Sequence, residues 1–129
     1  MKNNGWTLRK RAGSFCFAWK GICRLFACEA NAQIHCVAAI VAIALGWWLD
    51  ISVWEWVAVI GCIGVVLMAE AFNSAIESLC DRITKEYDEA IKHTKDMASG
   101  AVLLIAMTSV AIGLIIFLPK LMERFIEGS

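Results

Sequence analysis

The chain has 129 residues, of which 60% are hydrophobic and one is proline, and its formal net charge is zero. That is too apolar for an ordinary soluble domain and fits a single small membrane domain spanning residues 1–129. A chain with no net positive charge is not expected to have a nucleic-acid partner. The six cysteines form no CxxC pair and have no partnering histidines, so they read as small apolar fillers with reduced thiols.

Residues 1–6 are expected to be disordered. The first 15 residues are basic and polar, without the short apolar run and cleavage site of a signal peptide. Thr7 to Cys28 reads as an amphipathic helix: Phe15, Trp19, Ile22, Leu25 and Phe26 recur at helical spacing, while Arg11, Lys20 and Arg24 occupy other faces. A basic amphipathic helix of this kind lies in the membrane interface.

A first span is predicted over residues 30–49. Its fully apolar part, Cys36 to Leu49, is too short to cross a bilayer alone, so Asn31, Gln33 and His35 belong to its inner turn. Trp47, Trp48, Trp54 and Trp56 form an aromatic belt around Asp50 and mark the outer interface. A second helix is predicted over 53–83. A charged loop to Thr94 leads to a third span over 97–118, stopped by Pro119, with a short exit helix in the tail. Lys2, Arg9, Lys10, Arg11, Lys20 and Arg24 precede the first span, and Arg82, Lys85, Lys92 and Lys95 lie between the second and third. The positive-inside rule therefore puts the N-terminus and the 82–96 loop in the cytoplasm and the C-terminus outside, with Lys120 and Arg124 as exceptions.

The second helix carries a ladder of polar groups at its inner end: Glu70, Asn73, Glu77 and Asp81. At about 100° per residue, Glu70, Glu77 and Asp81 fall within roughly 20° of one meridian and Asn73 about 60° to one side. Acids in a membrane helix are expensive and mark function. Carboxylates and an amide on one stripe are hard oxygen ligands suited to Mg²⁺.

Depth adds to this reading. By helical rise Glu70 lies roughly 24 Å below Trp54, Glu77 roughly 35 Å below it, and Glu29 roughly 27 Å below Trp47. With a hydrocarbon core of about 30 Å, these residues and the Lys95–Asp96 pair reach one plane, the cytoplasmic lipid–water interface. A water-soluble nucleotide and a lipid headgroup meet there. Phosphoryl transfer needs metal, a cation on the phosphates and a group that positions the attacking hydroxyl. Glu29 and Glu77, helped by Asn73, are candidate Mg²⁺ ligands, Lys95 a candidate phosphate contact, and Glu70 a candidate acceptor of a lipid hydroxyl proton. Asp81 is either part of this stripe or a solvated helix-end charge beside Arg82. No Walker A or protein-kinase glycine loop is present. On the residues alone, Glu70 and Glu77 also read as interhelical hydrogen-bonding acids or pore lining in a non-enzymatic oligomer. The absence of polar groups from Val57 to Met68 speaks against a conducting path.

At these residues the chain resembles the small bacterial integral-membrane lipid kinases, the diacylglycerol kinase and undecaprenol kinase family. The matching stretches are SFCFAWKGI (Ser14–Ile22), the acid Glu29, EAFNSAIESLCDRI (Glu70–Ile83), EYD (Glu86–Asp88) and KDMASGAVLL (Lys95–Leu104). The resemblance implies an all-α membrane protein in the bacterial cytoplasmic membrane. Each subunit would have three transmembrane helices and an N-terminal interfacial helix, and three subunits would form a homotrimer with sites shared between neighbours. It implies ATP with Mg²⁺ as donor and a membrane lipid alcohol as acceptor. Carried over by position, Glu70 matches the catalytic acid and Glu29 and Glu77 the metal ligands. Lys10, Phe17, Glu29, Glu77, Glu86, Tyr87, Asp88, Lys95 and Asp96 match nucleotide-contacting positions. Glu70, Ser99 and the stretch Trp47, Trp48, Leu49 and Asp50 match positions near the lipid. Lys10 stands where the family has arginine and Phe17 where tyrosine is common, and Phe17 lacks a hydroxyl to donate. The stretch Glu29 to His35 looks like the undecaprenol kinase branch, whereas WKGI, Trp48–Asp50 and DRITKEY look like the diacylglycerol kinase branch. Undecaprenol is slightly favoured as acceptor over diacylglycerol.

Overall fold

The computed structural model describes residues 7–128, and among them every regular element is a helix: α1 (Leu8–Cys28), α2 (Ala30–Leu49), α3 (Val53–Ile83) and α4 (Glu89–Gly128). Three of them, α2, α3 and α4, are long and apolar enough to cross a membrane. The segment 1–6 expected to be disordered, which includes Lys2, lies outside the described residues.

Local chemistry sets the helix ends. Thr7 caps α1, its hydroxyl oxygen accepting the Lys10 N–H at 3.2 Å. Glu29 alone links α1 to α2, in extended conformation. Asp50 ends α2 in the left-handed region (φ 53°, ψ 57°), a conformation Asp tolerates better than most residues. There the Ile51 N–H donates to the Gly46 carbonyl and the Asp50 N–H to the Trp47 carbonyl, the pairing of a Schellman cap. Ser52 then opens α3 with a reciprocal capping box: its hydroxyl accepts the Glu55 N–H at 3.2 Å, and its own N–H donates to Glu55 Oε1 at 2.9 Å.

At α4 the structure departs from the sequence-based expectation at both ends. The stretch 89–94, read as loop, is helical. Asp88 caps it by accepting the Ile91 N–H at 3.0 Å, Glu89 stands in the first turn, and Lys92 pairs with Asp96 one turn on at 2.6 Å. A solvated extension of a membrane helix is polar all round, so hydropathy alone does not reveal it. The helix also runs through Pro119 to Gly128 rather than stopping there. Proline removes one backbone hydrogen bond, and contacts beyond it hold the following turns. Leu121 packs on the core. The Lys120 ammonium lies 3.4 Å from Glu55 Oε1. The Arg124 guanidinium donates to the Trp48 carbonyl at 2.9 Å and stacks over the Trp48 ring.

The buried core sits beside the 50–52 turn, where Leu49, Ile51, Val59, Ile116 and Phe117 pack together with Trp56 and Leu45 against them. In α1, only Leu25 is buried, and Phe15, Phe17, Trp19 and Ile22 are exposed. Polar residues gather at the other end of α2 and α3, away from the core. All six cysteines are free, with Cys80 buried and Cys16, Cys23 and Cys28 exposed.

Gly46 has the closest surroundings of the described glycines, against the Trp56 ring beside the core. A methyl group there would stand 2.7 Å from the Trp56 ring and 3.1 Å from Ile51 Cδ1. Gly46→Ala is expected to destabilise the subunit by about 1–3 kcal/mol, seen as a lower unfolding midpoint in detergent. An unchanged midpoint would show that the indole moves aside freely.

Candidate active site

The polar end of α3 is a stack of levels, most of them engaged from another part of the chain. By helical geometry Glu70, Ser74, Glu77 and Asp81 share one stripe within about 60°. At the deepest level Glu70 is 1% exposed and is the largest fully buried side chain. Its Oε2 faces Nε2 of His35 on α2 at 3.8 Å and has no hydrogen-bond partner among the described residues. Asn73, also buried, has a carbonyl oxygen in the same condition. One turn on, the Ser74 hydroxyl donates to Glu29 Oε1 at 2.9 Å, which holds the α1–α2 link against α3. Glu77, a turn further, is exposed. At the last level the Lys95 ammonium donates to Asp81 Oδ1 at 2.7 Å, joining α3 to α4 across the 84–88 link.

Charge follows these contacts. The hydrogen bond to Asp81 raises Lys95 above its ordinary pKa against an opposing effect of desolvation, and the charges of Asp81 and Glu77 act in the same direction as the bond. The hydrogen bond from Lys92 holds Asp96 below the usual carboxylate range.

The chain thus brings Glu29, Glu70, Asn73, Glu77, Asp81 and Lys95 to one end of the bundle. It does not bring every expected residue there. Phe17 and Lys10 lie about 18 and 28 Å back along α1 from Glu29 by helical rise, both exposed, with the Lys20 ammonium over the Phe17 ring. Glu86, Tyr87 and Asp88 are exposed in the α3–α4 link, and the Asp88 carboxylate serves as the α4 cap. Asp96 pairs with Lys92. Ser99 is exposed on α4 one turn past Lys95. Trp47, Trp48, Leu49 and Asp50 lie at the opposite end of α2, Trp48 about 20 Å along the helix from His35. The Leu49 side chain is buried in the core.

A family model described as prokaryotic diacylglycerol kinase matches residues 16–117. The chain belongs to this family. Undecaprenol kinase of Bacillus subtilis (strain 168) is 40% identical over 108 residues, covering 84% of this chain and 88% of that protein. Diacylglycerol kinase of Escherichia coli (strain K12) is 37% identical over 113 residues, covering 85% and 90%. Diacylglycerol kinase of Synechocystis is 32% identical over 129 residues, covering 98% and 73%. With three helices able to span a membrane and membrane lipid kinases as relatives, the protein is a multi-pass bacterial membrane enzyme, a lipid kinase. The matched stretch holds Glu29, Glu70, Glu77 and Lys95 but not Lys10.

Phosphoryl transfer would use a metal ion at such a site, and the donors present would suit Mg²⁺. That ion keeps several waters and takes one or two protein carboxylates together with phosphate oxygens, rather than a full protein cage. Glu29, anchored at α3 by Ser74, and Glu77, one turn along from Ser74, offer two such carboxylates. Among the described residues no group of three or more His, Cys, Asp or Glu side chains stands close enough to hold a metal ion without other ligands.

Two residues of the site were not singled out from the sequence as part of it. Ser74 is the fourth member of the stripe, one turn after Glu70, and helical spacing alone would have found it. His35 reads from the sequence as an interfacial polar residue. Only the packing of α2 on α3 shows that it faces Glu70.

Asp81→Asn is expected to bring the Lys95 pKa down toward the ordinary lysine value. An NMR titration of the Lys95 Nζ resonance reads this directly. An unshifted titration would mean that the two side chains do not pair in solution.

Proposed function

We propose that this enzyme transfers the γ-phosphate of ATP to the hydroxyl of a membrane lipid alcohol at the cytoplasmic face of the membrane, with undecaprenol as the favoured acceptor. The observation that carries the reading is Glu70: a carboxylate buried at the polar end of a membrane helix with one oxygen unpartnered. Such an oxygen is ready to take a proton from a hydroxyl that enters beside it. The hydroxyl oxygen forms a bond to the γ-phosphorus, the bond from that phosphorus to the β–γ bridging oxygen breaks, its electron pair leaves with ADP, and the hydroxyl proton goes to Glu70.

Glu29 and Glu77 would hold Mg²⁺, which when bound neutralises charge on the phosphates. Lys95 would contact phosphate from the α4 side, exchanging or sharing its bond with Asp81. Asn73 supports the metal side of the site. Lys10, Phe17, Glu86, Tyr87, Asp88 and Asp96 are the remaining nucleotide contacts of this reading. Lys10 and Phe17 are far from Glu29 along α1 in one subunit. That supports a homotrimer in which neighbours complete each site. The charge distribution supports a cytoplasmic N-terminus and α3–α4 link, with the C-terminus outside. In that orientation α1 lies in the interface with Phe15, Trp19 and Ile22 in the lipid. Ser99 and Trp47 to Asp50 would meet the lipid acceptor at different depths.

The Glu29–His35 stretch and the 40% identity to an undecaprenol kinase support undecaprenol, giving undecaprenyl phosphate. The second reading is diacylglycerol as acceptor, giving phosphatidic acid, supported by 37% identity to a diacylglycerol kinase over 113 residues. Labelled MgATP supplied to protein in mixed micelles with both lipids at equal mole fraction separates them. Label mainly in undecaprenyl phosphate is expected. Label mainly in phosphatidic acid would assign the enzyme to diacylglycerol, and label in neither would remove the reading. Glu70→Gln should lower turnover by about 10²–10⁴-fold while leaving MgATP binding nearly intact. Loss of nucleotide binding together with turnover would assign Glu70 another role.

A further inference from the structure

His35 Nε2 and Glu70 Oε2 face each other across 3.8 Å. The gap is too long for a direct hydrogen bond. It leaves a buried carboxylate oxygen unsatisfied, which is costly for an uncharged group and more so for a charged one. A group that belongs between them would remove that penalty. An oxygen atom about 2.8 Å from both would sit at the apex of a triangle with an angle of about 85°, roughly 25° under the tetrahedral angle between the donor and acceptor directions of a hydroxyl, a bend that hydrogen bonds tolerate. A hydroxyl is also the chemically matched occupant. It has one hydrogen to donate to the carboxylate and lone pairs to accept the imidazole N–H.

His35 opens a second feature. It lies at one end of an open pocket of about 290 Å³ between α2, α3 and α4, with walls from Ala38, Ala42, Val59, Val66 and Val110. The three small alanines of α2 (Ala38, Ala39 and Ala42) leave the space into which hydrocarbon fits. Apart from the His35 imidazole, the strongly polar side chain in this lining is Ser109, whose hydroxyl is buried without a partner among the described residues. A polar gap with an apolar slot directly behind it has the form of a long-chain alcohol whose hydroxyl is carried on the end of a hydrocarbon chain.

We propose that His35 is the second contact to the acceptor hydroxyl. Its Nε2–H donates to the hydroxyl oxygen while that hydroxyl donates to Glu70 Oε2, and the adjoining hydrocarbon enters the pocket that begins at His35. As the proton passes to Glu70, the oxygen gains negative charge, and a donor fixed beside it stabilises that charge as it develops. The inference rests on Glu70 as proton acceptor and adds the residue that orients the nucleophile.

The test uses the full-length protein in mixed micelles, with undecaprenol as the varied substrate at saturating MgATP, and MgATP affinity measured separately. His35→Met keeps the bulk and removes the donor, and His35→Gln keeps a donor on a side chain of similar reach. His35→Met should lower kcat/KM for undecaprenol by about tenfold to a hundredfold. His35→Gln should stay within about fivefold of the parent, with MgATP affinity and the unfolding midpoint unchanged in both. If His35→Met does not assemble, His35→Asn, polar but too short to reach the hydroxyl, replaces it with the same expectation. A donor-free variant as active as the parent would overturn the proposal. So would His35→Gln falling as far as His35→Met, or a loss matched by an equal loss of MgATP affinity or stability, the mark of a merely structural pair. Glu70→Gln run in parallel separates the two readings. Turnover retained in Glu70→Gln removes the proton-acceptor role and the His35 contact with it, whereas an inactive Glu70→Gln beside an unaffected His35→Met removes the His35 contact alone.

Discussion

A carboxylate withdrawn from water needs other groups to replace its hydration, and the penalty when they are missing is several kcal/mol per ion. Glu70 is withdrawn almost completely, and much of the polar end of the bundle is arranged around it. The α3 helix continues past it by more than three turns to Ile83, carrying Ser74, Glu77 and Asp81 on the same stripe. The α2 helix begins with a polar turn that sets His35 opposite it. The single extended residue between α1 and α2 is itself an acid, and its tie to Ser74 fixes where α2 starts relative to α3. A buried acid at the bundle centre would be a liability; placed where apolar wall gives way to charged side chains, it can be both desolvated and reached by a water-soluble partner.

The two ends of the bundle have different jobs. At the 50–52 turn, tight closure comes from apolar packing and from backbone geometry: the Gly46–Trp56 contact, the left-handed Asp50 and the reciprocal cap of Ser52 and Glu55. Lys120 and Arg124 then clasp α4 to the same end. At the Glu70 end, contacts are polar, single and partly exposed, which is the weaker kind of interaction. Mobility needed for substrate entry is therefore cheap there and expensive at the core end.

Much of this was legible from residues alone, because it depends on local pattern. The apolar runs place α2 and α3 at 30–49 and 53–83, as the structure has them, and helical periodicity alone aligns Glu70, Glu77 and Asp81. What escaped depends on partners distant in sequence. Residues 89–94 are polar enough to look like loop until Asp88 is seen capping them. Pro119 looks like a stop until the grip of Arg124 on Trp48 is known. His35 acquires its meaning only from α3, which no feature of its own neighbourhood predicts. The family comparisons supply what neither pattern nor packing contains, that the stripe belongs to a lipid kinase.

The unbroken α4 acts as a ruler. By helical rise its 40 residues extend about 60 Å, against about 30 Å of hydrocarbon. Lys95 and Lys120 are roughly 37 Å apart along one rigid rod. Because the rod is pinned at the core end, the height of Lys95 is set by distance from that pin, and not by where the nearby bilayer surface happens to fall. In a thicker membrane the rod stands more upright and its polar end is drawn toward the hydrocarbon; in a thinner one it tilts or protrudes. Bilayer thickness thereby becomes a mechanical input to the height of Lys95 beside the Glu70 stripe, set by the length and tilt of α4.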